Sequence, residues 1–193
     1  MVYTKRMHKP HSAEIHSILG AQGIFSSHKK SFEYRSRQEK MAQDVYAALD
    51  TNTISVIEGH TGLGKTLAYL LPCVLSKKKV LISTHTKNLQ DQLFLNDIPL
   101  VHQLVPETPF TTLLLKGRNN YLCIRKFQEQ SKNIHTHSAE KYNAINEWVQ
   151  QTRTGDIEEI SLGENSAALL SACLSEKESC KDKECLFYSQ CFY

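Results

Sequence analysis

The run Gly59-His60-Thr61-Gly62-Leu63-Gly64-Lys65-Thr66 limits what this chain can fold into more than any other stretch of it. A nucleoside triphosphate presents crowded anionic oxygens. Backbone amides reach them only where glycine lets the chain curl closely, and the helix that follows then aims its positive end at the charge. Gly62 and Gly64 supply that freedom, with Gly59, His60, Thr61 and Leu63 completing the cradle. Lys65 is placed to reach the β and γ phosphates, and the Thr66 hydroxyl to join the coordination shell of a magnesium ion. Lys65 and Thr66 are therefore the candidate catalytic residues. His60 is the unusual member, because a β-carbon there costs about 1 kcal/mol if the position takes a positive φ. Its ring would be within reach of nucleotide or of Gln38.

Such a loop requires a strand before it and a helix after it. Ile54-Ser55-Val56-Ile57 is a β-branched run, and Lys65 to Leu71 is compatible with a helix that Pro72 bends or closes. Upstream, Met41, Val45, Ala48 and Leu49 put one apolar stripe on a helix running from Arg37 to about Asp50. Downstream, Val80-Leu81-Ile82 predicts a second strand, Asn88 to Leu95 another helix, and Thr111 to Leu115 a third strand. Alternation of this kind predicts an α/β domain with a parallel sheet. Residues 1–33, polar and rich in histidine and serine, read as a lead-in arm, and 34–116 as the nucleotide-binding domain. After Lys116 the chain becomes charged and helix-like, with Tyr142, Ile145, Trp148 and Val149 forming one stripe. Residues 117–193 read as an inserted, mostly helical domain. The Lys77-Lys78-Lys79 run reads as a solvated helix end and His135-Thr136-His137 as a polar loop.

A chain of 193 residues with 40% apolar and 22% charged content suits one globular domain carrying an insertion. A net charge of +3 does not by itself announce a nucleic-acid binder. No run approaches the roughly 18 apolar residues of a membrane span, and no signal-peptide core is visible, so cytoplasmic residence is expected. Six cysteines without a secretory signal favour thiolate ligation of a metal over disulfides. Cys73 and Cys173 sit in apolar surroundings and read as small buried hydrophobes.

These motifs together resemble the bacterial DinG and YoaA branch of the XPD-like iron-sulfur helicases of superfamily 2. Phe32-Glu33-Tyr34-Arg35-Ser36-Arg37-Gln38 is similar to the family's FEyRxxQ segment. The resemblance gives Gln38 the task of reading the adenine edge of ATP, with Arg35 beside it. Glu58 to Thr66, continuing through Pro72, is similar to EAGTGTGKTxAYLxP, with Gly59-His60 where alanine-glycine is usual. Ser83 to Leu93 resembles motif Ia, which implies that Thr84, Thr86 and Asn88 hold DNA phosphates. Lys116 to Cys123 is similar to KGRxNYLC, and Thr154-Gly155-Asp156 to a recurrent TGD. The resemblance implies a partial RecA-like domain and a [4Fe-4S] cluster on Cys123, Cys180, Cys185 and Cys191. Spacing alone does not choose iron-sulfur over zinc, although the absence of a C-x2-C pair leans against zinc. Lys116, Arg118 and Tyr121 become candidates for contact with single-stranded or forked DNA.

Hydrolysis also needs acidic residues that hold magnesium and orient water, usually an Asp-Glu pair after an apolar strand. No such pair is present. Asn96-Asp97 follows motif Ia, and Asp156 to Glu159 follows polar residues. The family carries its DEAH box beyond the cysteine domain, so the expectation is an N-terminal fragment of a 5′ to 3′ DNA helicase that binds ATP and Mg2+ but does not unwind, with an unpaired sheet edge prone to aggregation. The alternative is a non-motor sensor or DNA-binding module that holds nucleotide and cluster.

Overall fold

A computed structural model describes residues 11–28, 33–131, 139–160 and 167–193. Phe32 of the FEyRxxQ-like segment, the first ten residues of the lead-in arm and the His135-Thr136-His137 loop lie outside them. The chain divides into two compact units, Met1–Leu114 and Leu115–Tyr193.

The first unit is built on helices. Helix α1 (His11–Leu19) and the short α2 (Ile24–His28) precede α3 (Ser36–Thr51). Helix α4 (Lys65–Leu75) follows the glycine-rich loop, and α5 (Lys87–Gln92) passes through a π-helical turn, Leu93–Asp97, into α6 (Ile98–Leu104). Ile15, Ala42, Leu67, Ala68, Leu71, Val101 and Leu104 from four of these helices form one buried cluster. The lead-in segment is therefore not a peripheral arm: Ile15 is fully buried, and Ile18 and Leu19 nearly so. The short apolar stretch from Ile15 to Leu19, within a histidine- and serine-rich segment, supplies the three residues that make this buried face.

Helix α3 closely matches the stripe read from the sequence. It ends where Asn52 takes a left-handed conformation, φ 53°, a geometry that asparagine tolerates better than most residues. Pro72 does not close α4. The helix runs through it to Leu75, with Leu70, Leu71 and Leu75 buried on both sides, so packing outweighs the one backbone hydrogen bond that proline forfeits.

The parallel sheet does not form. Among the described residues there is no strand, and the only pairings are two isolated antiparallel bridges in the second unit, Tyr121 with Asp156 and Leu122 with Leu174. The segments expected as strands are unpaired, with Ile54 98%, Val56 94%, Leu81 91% and Leu113 80% exposed. A central parallel strand buries both faces, so such exposure excludes that role here. β-branched composition specifies an extended backbone, whereas pairing depends on which other segment lies alongside.

The second unit holds α7 (Ile124–Ser131), α8 (Ala139–Gln151) and α9 (Ala167–Ala172) around a small core of Leu122, Phe127, Ile145, Leu170 and Cys173. Phe127 stacks on Tyr142 with ring centroids 4.6 Å apart. No described helix in either unit is long and apolar enough to cross a membrane.

Candidate functional site

In the first unit, the loop expected to cradle phosphates has the required curl. Gly62 and Gly64 take positive φ of 85° and 81°, and Gly64 is the N-cap of α4. His60 is not among the residues with positive φ, so the anticipated strain is absent. Its ring Nδ1 donates to the Thr61 carbonyl at 2.8 Å, which fixes a proton on that nitrogen, and it makes no hydrogen bond to Gln38. The Lys65 ammonium donates to the carbonyls of Gly59 at 2.8 Å and His60 at 3.1 Å. These bonds hold the cation inside the curl of the loop.

Two residues expected at the base grip the loop. Gln38 is buried, and its amide nitrogen donates to the Gly64 carbonyl at 2.9 Å. The Arg35 guanidinium donates to the Gly62 carbonyl at 2.5 Å. The start of α3 is thereby tied to both glycines. Glu39, one residue on, is also buried and accepts from Tyr34 at 2.9 Å and Gln43 at 3.2 Å, with His16 Nδ1 at 2.8 Å. The sequence offered one signal for Glu39: it lies one turn into an amphipathic helix, directly after the motif glutamine.

Within the motif Ia stretch, the Thr86 hydroxyl oxygen accepts from the Leu89 backbone N–H at 3.3 Å and caps α5, while the Thr84 hydroxyl donates to the Thr86 carbonyl at 3.3 Å. Thr86 and Asn88 are exposed. Asp97 closes the π-helical turn rather than following a strand. Burial raises its pKa against the opposing hydrogen bond from Gln92, and its Oδ2 is buried without a hydrogen-bond partner.

In the second unit, Cys123, Cys180, Cys185 and Cys191 all line one cleft. Local turns set each of them. Cys123 N–H donates to the Cys173 carbonyl at 2.8 Å and heads α7, while Cys180, Cys185 and Cys191 each donate a backbone N–H three residues back. The Asp182 N–H points at Cys180 Sγ, 3.4 Å away. All four are free thiols. Among the described residues, no three histidine, cysteine or acidic side chains crowd closely enough to share a single metal ion. Cys73 and Cys173 lie outside the cleft lining, and burial pushes both thiols up to about 11.

Of the residues expected at DNA beside this cleft, two are built into the core. Lys116 is buried and its ammonium pairs with Asp156 at 2.8 Å and Glu158 at 2.5 Å. Tyr121 is buried, and its hydroxyl accepts the Lys116 backbone N–H at 2.9 Å. A lysine saturated by two carboxylates has no charge to offer a phosphate, so Lys116 and Tyr121 serve the fold. The KGRxNYLC-like and TGD-like segments are thus one structure, joined by this ion pair. Arg118 differs: its guanidinium lies over the Tyr193 ring, 4.2 Å from the centroid, at the edge of the cleft.

Comparison with known proteins agrees with this geometry. Residues 35–100 match the family model of the DEAD/DEAH box helicases. The chain is 37% identical over 183 residues to the ATP-dependent DNA helicase YoaA of Haemophilus influenzae, covering 93% of this chain and 28% of that protein. It is 37% identical to the YoaA helicase of Escherichia coli, covering 83% of this chain and 26% of that one. The 3'-5' exonuclease DinG of Bacillus subtilis is 35% identical over 74% of this chain and 16% of its own length. No solved structure matches the chain significantly. The chain carries DEAD/DEAH box helicase sequence and is a homologue, over most of its own length, of the YoaA and DinG helicases, spanning little more than a quarter of the YoaA proteins.

Proposed function

We propose that this chain is the ATP-binding and cluster-binding portion of a cytoplasmic ATP-dependent DNA helicase that moves 5′ to 3′. The observation that carries the nucleotide half is the loop itself: two left-handed glycines, Gly62 and Gly64, Lys65 held within their curl, and α4 starting at once behind them. The Lys65 ammonium exchanges the carbonyls of Gly59 and His60 for β and γ phosphate oxygens. Thr66 takes its place on Mg2+, and the N-terminus of α4 adds its partial positive charge. Gln38 and Arg35 keep the loop in register and present their remaining polar atoms to the nucleotide.

The donor set in the second unit fits an iron-sulfur cluster. Four cysteines line one cleft, the number and kind of ligand that a [4Fe-4S] cluster takes. When bound, it supplies a four-point cross-link and a one-electron redox centre. Cys123, Cys180, Cys185 and Cys191 would hold it. Thr86 and Asn88, exposed, and the half-buried Thr84 contact DNA phosphates through hydroxyl and amide groups, and Arg118 with Tyr193 offers a charged and aromatic edge to single-stranded or forked DNA.

The test is a nucleotide titration of the 193-residue chain, followed by single-turnover hydrolysis and strand-separation assays with DNA. Saturable ATP·Mg2+ binding is expected, lost in Lys65→Ala, without DNA-stimulated turnover. Absence of binding in the wild type would overturn the nucleotide assignment. Robust DNA-stimulated turnover would overturn the expectation that this portion lacks its hydrolytic acids.

A further inference from the structure

One cation in the cysteine cleft is built in from three sides. Arg125 stands two residues after Cys123, on the first turn of α7. Its Nη1 donates to both carboxylate oxygens of Glu129, at 2.7 and 2.9 Å, one helical turn further on. Its Nη2 reaches 54 residues along the chain and donates to the carbonyl of Ser179 at 2.8 Å, immediately before Cys180. The side chain is 17% exposed, and it lines the same cleft as all four cysteines. Cys123 and Cys185 lie within its electrostatic reach. Nearby, Lys126 pairs with Glu176 at 2.6 Å and ties the same helix to the same returning segment, but Lys126 does not line the cleft.

We propose that Arg125 is a positioning residue for the four-thiolate site: it braces the Cys180 turn against the helix that starts at Cys123, and its fixed positive charge raises the reduction potential of the cluster held there. The proposal rests on the cluster reading above. A guanidinium fork suits the bracing role, because a planar set of donors can engage a carboxylate and a carbonyl at once, as an ammonium cannot. The electrostatic role follows from charge. A reduced cluster carries one more negative charge than an oxidised one, so a nearby cation stabilises the reduced form more. Glu129 offsets part of this charge but is half-exposed and is not among the residues lining the cysteine cleft.

The experiment compares wild type, Arg125→Lys and Arg125→Gln as full 193-residue chains purified without oxygen. Iron and sulfide content, visible absorbance, midpoint potential and the rate of iron loss to a chelator are measured, with far-UV circular dichroism as the check on folding. In Arg125→Gln the potential is expected to fall and iron loss to accelerate, by about 10-fold or more, as for other groups that orient metal ligands. Arg125→Lys is expected to keep the potential near wild type while losing iron faster, since charge survives and the fork does not. A merely structural role would move both variants alike in potential, and that result overturns the electrostatic half. A brown wild type whose two variants match it in potential and iron loss overturns the whole role of Arg125 while leaving the cluster reading intact. A wild type free of iron overturns the cluster reading and this proposal with it.

Discussion

Lys116 illustrates how a residue type can mislead until its surroundings are known. A lysine beside an arginine in a DNA-handling chain invites a phosphate contact, yet its side chain is 4% exposed and faces two carboxylates. Burial disfavours its charge, but the hydrogen bonds it donates to Asp156 and Glu158 outweigh that penalty and hold its pKa well above the usual lysine range. A folded-state value above the unfolded value of about 10.4 means the contribution is fully present below that pH and is lost as pH rises toward the folded value. Stability of the second unit, followed through its sole tryptophan Trp148, is therefore expected to hold between pH 7 and 9 and to decline above about pH 10.4. Lys116→Met leaves Asp156 and Glu158 without their cation, at a cost of about 3–5 kcal/mol in chemical denaturation. An unchanged denaturation midpoint in this variant would mean that the buried pair contributes nothing net.

At the level of elements, the loop and α4 behave as one piece latched to α3. A Cβ on Gly62 would meet nothing within 4 Å, whereas one on Gly64 would stand 2.1 Å from Gln38 Nε2. Gly62→Ala thus carries only the left-handed backbone cost of about 1–2 kcal/mol, while Gly64→Ala carries the same cost and also expels Gln38. Nucleotide titrations are expected to show weakened binding in the first variant and none measurable in the second. Equal losses would show that the Gln38 latch does not matter for binding. Lys78 shows the same economy of contacts elsewhere: it reaches the Leu49 carbonyl and, at 3.0 Å, Asn52 Oδ1, closing the C-terminal end of α3. The lysine run read as a solvated helix end therefore includes one residue that caps a neighbouring helix. Helix α3 was legible because a single stripe at 3.6-residue spacing admits few alternatives. Continuation of α4 through Pro72 was not, since local chemistry argues for a break and only the leucines packed on either side overrule it.

For the whole molecule, the consequential feature is the set of unpaired apolar segments around Ile54, Val56, Leu81 and Leu113, all largely solvent-exposed. Unpaired, extended, β-branched backbone is a template for association with any similar edge. Light scattering on the purified chain is expected to show concentration-dependent self-association, reduced by Val56→Lys together with Leu81→Lys; a monodisperse wild type at high concentration would contradict this. The sequence by itself determined the glycine-rich loop and the course of α3, because each rests on local geometry: glycine freedom and helical periodicity. Tertiary structure alone decided the rest. It placed Ile15 in the core, gave Lys116 to Asp156 and Glu158, turned Gln38 and Arg35 onto the loop, and left the expected strands unpaired. Each of those outcomes depends on a partner tens of residues away, and a residue's own chemistry does not say which distant group will lie within hydrogen-bonding or van der Waals range.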